Sequence, residues 1–201
     1  MTKVYLVRHG ETEWNAKGKY LGLTDIPLND NGERQAKALS SFLSEERIDA
    51  VYSSALTRTI QTARIIAKSH GLKVLKIPEL NEVDFGEWDG LTYFEIKDKY
   101  ANLADDWLNK TSEVQIPGGE TWSHFKERVM IGLRKIMNEN EDKNILIVTH
   151  GGPIKAIISE VLELNSTSFW KIRQDRGALN IIEFFDGNAI LTLLNDTCYQ
   201  K

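Results

Sequence analysis

The 201-residue chain reads as an α/β protein in which a mostly parallel sheet is covered by helices on both faces. Three observations predict this. Short apolar runs alternate with segments of helical period along most of the chain. The early runs are continuously apolar, as strands buried on both faces require. The last two flank Asp186-Gly187-Asn188 and read as a terminal hairpin with an antiparallel strand.

Val4-Tyr5-Leu6-Val7 is the first strand. Asn29 or Asp30 then caps a helix that carries Ala36, Leu39, Phe42 and Leu43 on one face. Ala50-Val51-Tyr52 is a second strand, followed by Leu56, Ile60, Ala63 and Ala67 at helical spacing. Residues 74–77 form a third strand, stopped by Pro78. Phe125, Val129, Leu133 and Ile136 mark an amphipathic helix. Ile145-Leu146-Ile147-Val148 is the next strand, and Ile154, Ile157, Ile158, Val161 and Leu162 mark the helix after it. Residues 179–185 and 189–194 form the hairpin. With no repeat, linker or low-complexity segment, residues 1–201 are expected to make one domain.

The alternation breaks between residues 85 and 125. This stretch has no strand signal and holds 8 of the 18 aromatic residues: Phe85, Trp88, Tyr93, Phe94, Tyr100, Trp107, Trp122 and Phe125. It is expected to be a helical insertion, whose aromatics either pack a small core or form a lid against a substrate.

Composition excludes several functions. Hydrophobic residues make up 41% and charged residues 27%, which is globular composition. A net charge of −4 without a basic run argues against nucleic acid as a partner. No apolar stretch approaches the roughly 18 residues of a membrane span, and the first residues do not resemble a signal peptide. The single cysteine, Cys198, cannot pair internally, so a reducing cytoplasm is the expected location. Cys198 also has too little chain after it for a cysteine-phosphatase loop. His9, His70, His124 and His150 show no zinc-hydrolase spacing, and no P-loop motif occurs. Neither a metal nor an organic cofactor is expected.

The most informative feature is one of placement. The first strand runs into Arg8-His9-Gly10-Glu11-Thr12, and the strand 145–148 runs into Thr149-His150-Gly151-Gly152. Ligands of open α/β sheets bind at the carboxyl ends of the strands. Two His-Gly corners therefore reach that edge, and the second opens a helix whose backbone N–H groups favour an anion. The second strand ends at Ser53-Ser54, with Arg58 just beyond. Arg8 and Arg58 could clamp one phosphoryl group. A metal-free phosphoryl transfer needs a nucleophile, cationic stabilisation and a proton donor. His9 fits the first role if its other ring nitrogen donates to a backbone carbonyl. His150 would donate a hydrogen bond to the phosphoryl group. Glu82, after the third strand, fits the last, since a carboxyl beside a dianionic phosphate is biased toward its protonated form. Glu11, Glu13 and Glu87 rival Glu82, and spacing alone does not choose among them.

Leu6-Val7-Arg8-His9-Gly10-Glu11-Thr12 with Asn15 resembles the signature of the histidine phosphatase superfamily, the group that includes the cofactor-dependent phosphoglycerate mutases. Pro27-Leu28 with Gly32 and Gln35, Ser53 with Arg58 and Thr62-Ala63, and Val148-Thr149-His150-Gly151-Gly152 extend the likeness over nearly the whole chain. The resemblance implies a phosphoglycerate mutase-like three-layer sandwich with one antiparallel edge strand. It also implies a phosphorylated nucleophile at His9 and phosphate ligands at Arg8, Asn15, Arg58, His150 and Gly151. It puts the acid at Glu82. No adjacent arginine pair follows Glu82, which is similar to the smaller phosphatase branch rather than the mutases. Phe85-Gly86-Glu87-Trp88-Asp89-Gly90 and Pro117-Gly118-Gly119-Glu120 most resemble α-ribazole-5′-phosphate phosphatases, with similar stretches in broad-specificity phosphatases. Leu21 departs from the pattern, since many relatives place a polar Gln there.

The expectation is therefore a metal-independent phosphomonoesterase acting on a small phosphorylated metabolite, either α-ribazole-5′-phosphate or a broader set. A phosphoglycerate mutase, which would require a bisphosphoglycerate, is the first rival. A non-catalytic phospho-ligand-binding module is the second, though such a module has no use for a proton donor. An aromatic lid near Trp88, Tyr93 and Trp122 would suit a flat base.

Overall fold

The computed structural model describes residues 1–109 and 114–200. Among these, six strands make one sheet: β1 (Thr2–Arg8), β2 (Ala50–Ser53), β3 (Val74–Lys76), β4 (Asn144–Thr149), β5 (Leu179–Phe185) and β6 (Asn188–Asp196). Their order is β3-β2-β4-β1-β5-β6. β1, β2, β3 and β4 are mutually parallel. The hairpin supplies the antiparallel side. β5 runs against β1, with Leu179 opposite Val7, and β6 is outermost.

Alternation along the central strands builds a core on each face. Val4, Leu6, Ile145 and Ile147 pack with Phe125 and Val129 of α5 (Trp122–Glu139), Ile154 and Ile157 of α6 (Gly151–Val161), and Ile96 and Trp107 of α4 (Tyr93–Asn109). Tyr5, Val7, Leu146 and Val148 face the other way. They pack with Leu39 of α2 (Asp30–Phe42), with Leu43 just after it, and with Ala63 and Ile66 of α3 (Thr57–Ser69). Helix, sheet and helix thus make three layers. A single turn, α1 (Glu13–Ala16), follows β1, and Asn29 caps α2 by accepting the Gly32 N–H at 2.8 Å. β3 is one residue shorter than the apolar run suggests. Ile77 still donates to Ser53 O at 2.8 Å, but the chain then turns into a 3₁₀ helix at Pro78–Leu80.

The segment 85–125 contains no strand among its described residues, and residues 110–113 of the expected insertion lie outside them. α4 is broken at Tyr100 (φ −134°, ψ 41°), whose hydroxyl donates to Glu87 Oε2 at 2.6 Å. Trp88 and Phe125 are fully buried, and Tyr93 and Trp122 pack against the same core. Among the described residues no helix is long and apolar enough to cross a membrane.

One close approach fixes the loop after β1. A Cβ on Gly10 would sit 2.4 Å from Gly32 O, and one on Gly32 would sit 2.1 Å from Glu11 O. Both obstacles are backbone, which cannot swing aside. Gly32→Ala should therefore cost about 1–3 kcal/mol of stability, a fall in Tm of roughly 2–12 °C for a domain of this size. Thermal unfolding reads this directly, and an unchanged Tm would show that the loop yields.

Candidate active site

The carboxyl ends of β1 and β4 and the turn after β3 converge with the segment that enters β5. That last segment reaches the same edge because β5 is antiparallel to β1. Between them lies a cavity of about 270 Å³.

His9 lines the cavity and is buried. Its Nδ1 lies 2.7 Å from Gly10 O. A carbonyl only accepts, so Nδ1 carries the proton. Burial, then Arg58 and Arg8, hold the imidazole pKa well below its ordinary value. The ring is thus neutral near pH 7, with an unprotonated Nε2 able to act as a nucleophile.

His150 stands behind it, ring centroids 5.1 Å apart. Arg58 Nε donates to His150 Nδ1 at 3.3 Å, so the Nε2–H faces Ser54 Oγ at 2.7 Å. Burial, then Arg58, hold His150 well below its ordinary pKa as well. Arg58 is fully buried and also donates to Thr24 O and Gly22 O at 2.9 and 2.6 Å. Desolvation lowers its pKa to about 10, so it stays cationic at pH 7. Neither Arg58 nor His150 lines the cavity; His150 packs against His9, and Arg58 is bonded to His150.

Arg8, Asn15 and Gly151 line the cavity. Arg8 Nη1 donates to Gln174 O at 2.6 Å, and its buried Nε has no partner among the described residues. Burial brings its pKa down to about 10. Asn15 Oδ1 accepts the Thr12 N–H at 3.3 Å in a capping box. That bond turns the amide NH₂ end away from the cap.

Glu82 lines the cavity too, 7% exposed. Its Oε1 accepts from Val83 N–H and Gly152 N–H, both at 3.0 Å. The Gly152 N–H also reaches Oε2 at 3.3 Å, so the side chain occupies the start of α6. A Cβ on Gly152 would lie 2.2 Å from Glu82 Oε1, so only glycine lets the carboxylate come so close. The loop is held from behind. Arg128 donates to the carbonyls of Glu79, Asn81 and Glu82 at 3.0, 2.8 and 2.8 Å and pairs with Glu120 at 2.5 Å. Thr149 Oγ1 ties β4 to the same turn through Leu80 O at 2.6 Å. The rival carboxylates lie elsewhere: Glu11 accepts from Asn29 and Asn31, Glu87 from Tyr100, and Glu13 is exposed.

The expected aromatic wall needs correction. Trp88, Tyr93 and Trp122 are spent on the core, and none of them lines the cavity. Tyr20, Phe85, Trp107, Phe169 and Trp170 line it instead, together with Leu21. Sequence reasoning also passed over Lys155, Gln174 and Arg176. Arg176 Nη2 donates to Asn15 O at 2.9 Å. Burial brings the Lys155 pKa down to about 8. Two signals could have found them. Residues entering an antiparallel neighbour of β1 must arrive at the carboxyl edge, and Lys155 lies one helical turn beyond Gly151.

The model of the histidine phosphatase superfamily (branch 1) matches residues 4–197. Phosphoserine phosphatase 1 of Hydrogenobacter thermophilus is 34% identical over 199 residues, 99% of this chain and 94% of the relative. Adenosylcobalamin/α-ribazole phosphatase of Salmonella typhimurium is 34% identical over 198 residues, 96% of each chain. Among solved structures, phosphoserine phosphatase from Entamoeba histolytica in complex with phosphoserine superposes with a TM-score of 0.89 at 32% identity, over 99% of both chains. The Entamoeba protein in complex with 3-phosphoglyceric acid gives 0.88 at 32% identity over the whole of both. With its fold, its sequence and these relatives in agreement, the chain belongs to branch 1 of the histidine phosphatase superfamily.

Proposed function

We propose that the protein is a metal-independent phosphomonoesterase that works through a phosphohistidine at His9. The observation that carries this reading is the His9 tautomer: Nδ1–H is tied to Gly10 O at 2.7 Å, and Nε2 is left with its lone pair in a cavity that Glu82 also lines. In the first step Nε2 attacks phosphorus, the ester P–O bond breaks, and the leaving oxygen takes the proton from Glu82. In the second, a water oxygen attacks phosphorus while Glu82 takes its proton. The P–N bond then breaks and inorganic phosphate departs. Arg8, Asn15 and Gly151 hold the phosphoryl oxygens from the cavity. Arg58, bonded to the neutral His150 behind His9, adds cationic charge against the negative charge that a loose transition state spreads over those oxygens, while the His150 Nε2–H is held by Ser54 Oγ.

The substrate is a small phosphomonoester. Relatives named for phosphoserine and for α-ribazole are each 34% identical, so sequence likeness supports both. A kcat/KM panel of α-ribazole-5′-phosphate, the intermediate of cobalamin synthesis, phosphoserine and 3-phosphoglycerate separates them.

Two measurements test the chemistry. His9→Ala should abolish both the rapid-quench burst of phosphoenzyme and turnover. Glu82→Gln should lower kcat/KM on alkyl phosphates by about 10²–10⁴-fold yet cost far less on nitrophenyl phosphate, whose leaving group needs no proton. Equal losses on both would remove Glu82 as the acid.

The neutral histidines also set a pH dependence of stability. Burial lowers the folded-state pKa of His9, His150 and His70. Above about pH 6.5 both states are neutral and nothing changes. Below it the unfolded chain takes up protons that the native state refuses. Stability should therefore fall, by up to about 1.4 kcal/mol per pH unit for each histidine. Urea unfolding between pH 7 and pH 5 should show a shallower fall for His150→Asn than for the wild type. Parallel curves would mean that His150 charges freely in the folded protein.

A further inference from the structure

The charge of the cavity exceeds what one phosphate needs. Arg8, Lys19, Lys155 and Arg176 line it, and Glu82 is the one carboxylate among its described lining residues. A phosphate dianion answers two of these four cations, and Glu82, which carries a proton when the ester binds, offsets none. Like charges in a partly closed cleft repel, so the remainder points to a second anionic group on the ligand.

Lys155 is the cation placed to meet that group. Among the described residues its Nζ makes no hydrogen bond or ion pair, and it lies 4.4 Å from the Trp170 ring centroid and 5.1 Å from that of Phe169. The two rings hold the ammonium in place without spending its three N–H donors. Lys19 is half-buried with its Nζ 5.4 Å from the ring of Trp14, which does not line the cavity, while Arg176 is already bonded to Asn15 O. Lys155 also has the right offset. A Cβ at Gly151 would lie 3.6 Å from the Arg8 guanidinium carbon, so Gly151 marks the phosphate end. Lys155 follows four residues later on the same helix face, its backbone about 6 Å farther along the axis, with Nζ at the Phe169 and Trp170 rings that line the cavity. In a molecule with the phosphoester on one carbon and a carboxylate two carbons away, the two anions are separated by a comparable span.

We propose that Lys155 binds a substrate carboxylate, and that the preferred substrates are three-carbon phosphorylated carboxylic acids rather than phosphorylated nucleosides. This rests on the phosphomonoesterase reading and narrows it. Phosphoserine and 3-phosphoglycerate share this arrangement, and both are the ligands named for complexes of the Entamoeba relative. The aromatic wall then covers the short carbon chain and excludes water from it rather than stacking on a base.

The test uses matched substrates that differ only at the carboxylate: phosphoserine against phosphoethanolamine, and 3-phosphoglycerate against glycerol 3-phosphate. In the wild type the carboxylated member of each pair should have the higher kcat/KM. In Lys155→Gln that ratio should fall about 10- to 100-fold, the range of a charge-assisted hydrogen bond, mainly through KM, and Lys155→Arg should restore part of it. Equal loss on both members would make Lys155 a phosphate ligand and overturn the proposal. So would a wild-type enzyme that prefers α-ribazole-5′-phosphate or the carboxylate-free partners. If no substrate turns over, the phosphatase reading fails separately. Calorimetry still decides then: tighter binding of phosphoserine than of phosphoethanolamine, erased in Lys155→Gln, supports the carboxylate site, and equal binding of the two rejects it.

Discussion

A neutral imidazole held among guanidinium groups is the constraint on which the site depends. His9 is buried close to Arg8 and Arg58, which repel a proton on its ring. The Gly10 carbonyl decides which nitrogen keeps the one proton that remains. The cost of gathering these cations without an anion is met by backbone carbonyls: Gly22 and Thr24 accept from Arg58, and Gln174 accepts from Arg8. A phosphoryl group entering the cavity brings the charge that these carbonyls only partly balance. Burial first, and then the field of Arg58 and Arg8, keep His9 unprotonated, and that same field favours an anion in the cavity.

Glu82 is held by a different logic. Its carboxyl group sits at the start of α6, where the Val83 and Gly152 N–H groups reach Oε1 at 3.0 Å and the Gly152 N–H also reaches Oε2 at 3.3 Å. The position needs Gly152 on one side and Arg128 gripping three consecutive-turn carbonyls on the other. The Glu120–Arg128 pair extends this brace to the Pro117-Gly118-Gly119-Glu120 stretch, since Asp84 N–H donates to Glu120 Oε1 at 2.8 Å. That gives the stretch a physical purpose: it fixes the backbone from which the carboxylate hangs.

Much of this was legible in the sequence because it is local. A strand followed at once by His-Gly carries its own address on the sheet, and both corners lie where the strand ends put them. Asn29 as a cap and the continuous apolar strands are equally local. The residues that escaped are those whose position depends on long-range pairing. Arg176 and Gln174 reach the cavity only because β5 runs against β1, with Leu179 opposite Val7 across 172 residues of chain. Lys155 looks like an ordinary polar position in an amphipathic helix until Trp170 packs over it. The aromatic insertion misled for a related reason. Composition gave its density but not its direction, and Trp88, with no exposed surface, turned inward.

The site thus divides into two parts with different tolerances. The phosphate end is built from strand ends and helix starts whose backbones touch, as at Gly10 against Gly32, and a change there disturbs the sheet itself. The far wall comes from Trp107 of α4, from Phe169 and Trp170 in the 3₁₀ segment Ser166–Lys171, and from Leu21. Trp107 apart, these belong to connecting segments, and none of them bonds to the side chain of His9 or Glu82. Relatives with the same phosphate chemistry can therefore be named for substrates as unlike as phosphoserine and α-ribazole at equal overall identity. Under the carboxylate proposal, substrate choice rests on Lys155 of α6 and on the far-wall rings of Phe169 and Trp170 packed around its ammonium.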